Sequence, residues 1–217
     1  WKLIENENVP MAVRMIQMLS MGHHLQRNIS EGQLFGLENI YDHYLSEGAA
    51  DRMCAYLKER WEKPGSCYHV MKEMFACLHK LEVLSADWPK KVRHYEKVLF
   101  GGGRKQYEAL HQYRMPDKIA EQLLSYFIYV YFAGAVYDGM PYSKVKLAVI
   151  STMLIEDIVC AKAAEKGQLS FEAIADAAHS YAREVEHSDL NLQRLSTMFR
   201  HQKCFHIGRL CGALLEW

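Results

Sequence analysis

Two short stretches of this sequence gather side chains able to hold or deprotonate an amine. Around residue 186, the run Glu184, Val185, Glu186, His187, Ser188, Asp189 crowds carboxylates around one imidazole. Around residue 138, Tyr137, Asp138, Tyr142 and Lys144 bring phenols, a carboxylate and an amine to one turn. An amine must lose its proton before it can act as a nucleophile, so carboxylates beside a base suit that chemistry. On this reading Glu186, His187 and Asp189 are the catalytic candidates. Tyr137, Asp138, Tyr142 and Lys144 are the substrate-binding candidates, with Asp138 meeting an ammonium and the tyrosines flanking its methylene stem. Each group also has a structural explanation. Asp138 and Gly139 are turn residues by backbone preference, Ser143 is a reasonable cap, and Lys144 in a first turn would be solvated. His187 near a helix C-terminus is favoured by the dipole, and Ser188 and Asp189 suit the start of the next helix.

Other reactive residues point to less. His201, Cys204, His206 and Cys211 are spaced H-x-x-C-x-H-x-x-x-x-C, which fits no standard zinc signature, so no metal site is expected. His23 and His24 are adjacent, lie about 100° apart on a helix, and read as surface residues. Met11, Met15, Met18 and Met21 recur at helical spacing and read as core. Gly101, Gly102 and Gly103 lack the pattern of a phosphate-binding loop and read as a linker or hinge.

These residues must be positioned by helices, because apolar side chains recur at helical spacing and no segment alternates long enough for a strand. The expected helices are 8–28, with Asn8 as cap and Pro10 in the first turn, then 30–45, 49–62 and 66–84. Further helices are expected at 88–100, 117–137, 143–166, 171–186, 190–201 and 206–215. Leu34, Leu37, Tyr41 and Tyr44 carry the second, and Pro64 and Gly65 break the chain after the third. The two most hydrophobic, 117–137 and 143–166, both read as central and buried on most sides. The short turn between them favours antiparallel neighbours. The expected fold is all-α, a multi-helix bundle built around a central antiparallel helix hairpin. The glycine run divides it into an N-terminal helical part, 1–100, and a C-terminal helical part, 104–217, which could also form one continuous domain.

Composition narrows the partners. In 217 residues, half of them apolar, Lys plus Arg (26) balance Asp plus Glu (26), so the chain lacks the basic field of a nucleic-acid binder. The uncharged run 122–137 is shorter than the roughly 20 residues of a bilayer span and is studded with tyrosines, so membrane insertion is not expected. Six scattered cysteines without a C-x-x-C pair fit reduced thiols in a cytoplasm. The chain opens at Trp1 with no initiator Met and no signal-like segment, and reads as part of a longer protein.

Residues 135–150, AVYDGMPYSKVKLAVI, and 183–192, REVEHSDLNL, resemble the C-terminal half of the flagellin lysine-N-methylase (FliB) family. The likeness is best from about Met115 to about Met198. It implies a protein-lysine N-methyltransferase that uses S-adenosylmethionine, with flagellin as protein substrate. It also implies a cysteine-rich N-terminal part associated with an iron-sulfur cluster in the full-length protein. None of that cysteine cluster is present here, so this piece alone should be inactive, serve substrate docking or scaffolding, and carry no cofactor of its own. Two alternatives stay open: a helical ligand-binding or dimerisation domain, which a preformed apolar cavity would reveal, and an adaptor, which an exposed apolar groove would reveal.

Overall fold

The computed structural model describes residues 1–33, 35–60 and 66–217, and among them every regular element is helical. In chain order these are α1 (Met11–Ser30), α2 (Leu37–Leu45), α3 (Ala49–Arg60), α4 (Ser66–Leu78), α5 (Trp88–Phe100) and α6 (Gly103–Leu110). There follow α7 (Asp117–Tyr131), α8 (Ala135–Asp138), α9 (Pro141–Lys166), α10 (Phe171–Val185), α11 (Asp189–His201) and α12 (Ile207–Leu214). The expectations that rest on Leu34, on residues 61 and 62 of the third helix, and on the break at Pro64 and Gly65 lie outside the described residues.

The organising element is α9. Residues 145–161 are buried without a gap, because apolar side chains are spread around the whole circumference of this helix and are satisfied by being surrounded. It packs against α1, α7, α10, α11 and α5. Gly167, at φ 70°, ends it in the left-handed conformation that glycine adopts without a Cβ penalty. Ser170 and Ser188 cap the next two helices, accepting hydrogen bonds from the Ala173 and Asn191 amides. One contiguous core runs from Leu3 to Leu214, with α12 laid against α4 and α1. Met11, Met15 and Met18 belong to it.

The structure corrects several expectations. The helix expected at 117–137 is not buried on most sides. α7 buries only Ala120, Glu121, Leu124 and Phe127, while Tyr129 is 77% exposed and Val136 85%. The stretch Asp117–Asp138 is long and apolar enough to cross a membrane by length and composition, and 22% of its apolar window is buried. The reason is one-sided packing: α9 and α1 lie against the Leu124 side, while Tyr129, Val130 and Val136 stay exposed. The helix is also interrupted by a 3-10 turn, Phe132–Gly134, before α8.

The helix expected at 66–84 ends at Leu78, because the amides of Glu82, Leu84 and Ser85 donate to Asn191 and Glu184 instead of to helical carbonyls. Pro10, not Asn8, precedes the first helical residue of α1, and no side chain caps it. Ser143 lies inside α9, bonded to the Ser196 hydroxyl at 3.0 Å, and is no cap. The glycine run makes a tight α5–α6 connection whose last member, Gly103, takes φ 78° to open a helix that periodicity did not suggest.

Candidate functional site

The best-developed surface site is built on α7 and the α10–α11 junction. Tyr126 and Tyr131, five residues apart on α7, each donate a hydroxyl hydrogen bond to the same oxygen, Glu186 Oε2, at 2.9 Å. The other carboxylate oxygen, Glu186 Oε1, is sheltered from water and has no hydrogen-bond partner. The carboxylate therefore has an unmatched oxygen, which makes it the least satisfied anion at this junction. Burial, reinforced by the carboxylate, pushes both phenols above their usual range, so both remain hydroxyl donors at neutral pH.

This site opens onto an apolar stripe. Tyr126, Tyr129, Val130, Val136 and Tyr137 are exposed, and separations of three, four and seven residues put them along one side of the α7–α8 rod. From Tyr126 to Tyr137 the stripe runs about 16 Å at the helical rise. Exposed aromatic and branched side chains in a continuous row mark a surface made for contact.

The other residues of the 184–191 stretch hold the chain together. Glu184 Oε2 accepts the Leu84 and Ser85 amides at 3.0 and 3.2 Å. Asn191 takes the Glu82 amide at 2.6 Å and donates to the carbonyls of Glu82 and Glu184. Ser188 donates to the Glu82 carboxylate at 2.9 Å while capping α11. His187 and Asp189 stand exposed at the same junction, on either side of that buried cap.

The 137–144 residues form a second group. Asp138 Oδ1 accepts the Met140 amide at 2.9 Å, and its Oδ2 pairs with Lys144 Nζ at 2.6 Å. The turn is pinned from α1 by Gln26, which donates to the Gly139 carbonyl at 3.0 Å. These bonds, led by the Lys144 contact, outweigh partial burial and hold Asp138 below the usual carboxylate range. Tyr137 is 93% exposed. Tyr142 turns inward, where its ring meets the ammonium of Lys146 at 4.3 Å and the edge of His23 at 5.2 Å. No hydrogen bond, ion pair or ring contact among the described residues joins this group to the 186–189 group. They are linked through the α7–α8 rod, which carries Tyr126, Tyr131, Tyr137 and Asp138, and through α9, which packs against α10 and α11.

Sequence reasoning missed Tyr126 and Tyr131. The available signal was four tyrosines, 126, 129, 131 and 137, in an otherwise apolar stretch, which a fully buried helix would not carry without partners for their hydroxyls. It also missed a closed polar cluster inside α9. Asp157 accepts the Tyr107 hydroxyl at 3.2 and 3.3 Å, and Arg114 approaches Glu156 at 4.0 Å. Burial pushes Glu156 up to about 8 and Asp157 to about 7, partly offset by Arg114. Both carboxyls are buried within the bundle, so the cluster is a matter of stability.

Among the described residues, no group of three or more His, Cys, Asp or Glu side chains is arranged to hold a metal ion. Of the six free thiols, Cys77 adjoins Cys204, while Cys67 meets Tyr107 and Cys77 also donates to Gln202 at 2.9 Å. Neither a curated protein nor a solved structure is significantly similar to the chain. A family model described as the FliB lysine N-methylase C-terminal domain matches residues 1–213, well beyond the 115–198 stretch that carries the resemblance in sequence. That match covers nearly the whole chain, and the chain belongs to the FliB lysine N-methylase C-terminal domain family.

Proposed function

We propose that this domain docks the protein substrate of a lysine N-methylase, presenting a flagellin lysine to the reaction centre. The observation that carries the proposal is Glu186, with one oxygen held by two tyrosines and the other unbonded, at the edge of an exposed apolar stripe. The stripe supplies contact area for a polypeptide, and the carboxylate and rings select a cationic side chain from it. Asp138 and Lys144 at the far end form an ion pair that a second charged residue of the substrate could exchange with. In this reading His187 and Asp189, exposed at the same junction, accept the proton that the lysine sheds before methylation.

The methyl donor, S-adenosylmethionine, and an iron-sulfur cluster belong in this reading to another part of the full-length enzyme. The residues present do not fit a cluster: the six thiols are scattered through the fold and only Cys77 and Cys204 adjoin. Six free thiols accord with a reducing cytoplasm.

Methylation of flagellin by the full-length enzyme tests the proposal. Glu186→Gln removes the charge and keeps the shape, and it should reduce methylation about tenfold or more, the effect of losing one charged contact. Asp138→Asn should reduce it less. Normal methylation by a folded Glu186→Gln enzyme would return these residues to structural roles.

A second reading, a ligand-binding domain without catalysis, is favoured by one feature. An apolar cavity of about 220 Å³ lies between the N-terminal segment, α1, α2 and α7, lined by Leu3, Met18, Tyr41, Ile128 and Phe132 among others. Its volume is below the roughly 300 Å³ of typical small-molecule sites, so substrate docking is the stronger reading.

A further inference from the structure

Lys146 is 5% exposed. Its Nζ donates to the Phe199 carbonyl at 2.6 Å and faces the Tyr142 ring. An ammonium has three donors and strongly prefers an anionic partner when buried, so this one is left short of a counter-ion. It lines a cavity of about 250 Å³ between the Met140–Ser143 turn, α1 and the last turn of α11, and Arg200 stands at the rim. No Asp or Glu lines that cavity. Behind the Tyr142 ring lies His23, and the Tyr142 hydroxyl is itself buried without a partner.

From this arrangement we infer that the cavity is a binding site for a small organic oxyanion, a carboxylate or phosphate group carried on a short apolar body. The anion would take the free Lys146 donors and the Arg200 guanidinium, while Met140, Tyr142 and Phe199 cover the body. The site is distinct from the docking surface, since a cavity lined by two cations repels the lysine that Glu186 is proposed to receive. Burial pushes Lys146 down to about 8, and burial followed by the nearby Lys146 charge lowers His23, so a bound anion would raise both.

The test is NMR titration of the isotope-labelled protein with acetate and, separately, inorganic phosphate, at an ionic strength held constant with chloride. For probes this small, saturation is expected at about millimolar concentration. The Lys146 side-chain signals should move saturably, and the pKa values of Lys146 and His23 should both rise as the anion binds. Arg200→Gln should weaken binding about tenfold, as expected for one charged hydrogen bond, and Lys146→Met should abolish it. Saturation by acetate alone identifies a carboxylate ligand, and saturation by phosphate alone a phosphate. Absence of saturation by either anion would overturn the inference, as would unchanged binding in Lys146→Met. Should that variant fail to fold, an unchanged affinity in Arg200→Gln overturns it independently.

Discussion

Glu156 and Asp157 stand side by side in the middle of α9 with one guanidinium, Arg114, nearby and the Tyr107 hydroxyl bonded to Asp157. Burial raises both carboxyls, to about 8 and about 7, far above the roughly 4 they would have in the unfolded chain. The folded state therefore keeps protons that the unfolded state has released, and stability falls as pH rises from about 4 to about 8. Replacing Glu156 by Gln removes one of these protons from the balance. Urea unfolding of both proteins between about pH 5 and 8 should show the variant gaining on the parent as pH rises, by up to about 1.4 kcal/mol per unit. A pH-independent difference would mean that Glu156 is ionised in the folded state. His111 works in the opposite sense: burial lowers it to about 4, so its contribution is lost as pH falls below about 6.5. It acts equally in both proteins and cancels in the comparison. Arg14 and Glu121 show the contrasting solution to burial. Arg14 bonds Glu121 at 3.0 Å and the carbonyls of Ile4 and Val9, and Glu121 is held below its usual range chiefly by Lys118.

At the scale of elements, α7 and α9 look alike in composition and differ in what covers them. Leu124 of α7 and Leu154 of α9 are both buried, so truncating either to Ala should cost about 2 to 5 kcal/mol through the cavity left behind. Tyr129→Ser and Val136→Ser, on the uncovered side of α7 and α8, should stay within about 0.5 kcal/mol of the parent. Thermal or urea unfolding measures all four. A large loss at Tyr129 or Val136 would mean that the stripe is packed against something in the free protein and is not available for docking. The approach of α1 to α9 depends on Gly22, where an added Cβ would lie 3.1 Å from Val145 Cγ2 and 3.5 Å from the Tyr142 ring. That close passage accompanies the seating of His23 against the Tyr142 ring.

Across the whole molecule, helical character was legible from apolar residues at helical spacing and from end signals such as Ser170, Ser188 and Gly167. What could not be read was which apolar helix lies inside. Periodicity reports how many faces are apolar, and the α7–α8 stretch is apolar on a face the bundle does not use. The end of α4 was equally hidden, since the side chains that draw off the amides of residues 82, 84 and 85 lie about a hundred residues away, on Glu184 and Asn191. Within the candidate site, Glu186 was legible from the crowding of carboxylates. Tyr126 and Tyr131, which orient it, come from a distant helix and were not. The central claim is that this surface recognises a lysine-bearing protein, and direct binding tests it most closely. Monomeric flagellin should bind this chain saturably in calorimetric titration. Glu186→Gln and Tyr129→Ser should each weaken binding about tenfold while leaving the unfolding transition in place. Equal affinity in the parent and in both folded variants, or no binding by the parent, would contradict the account.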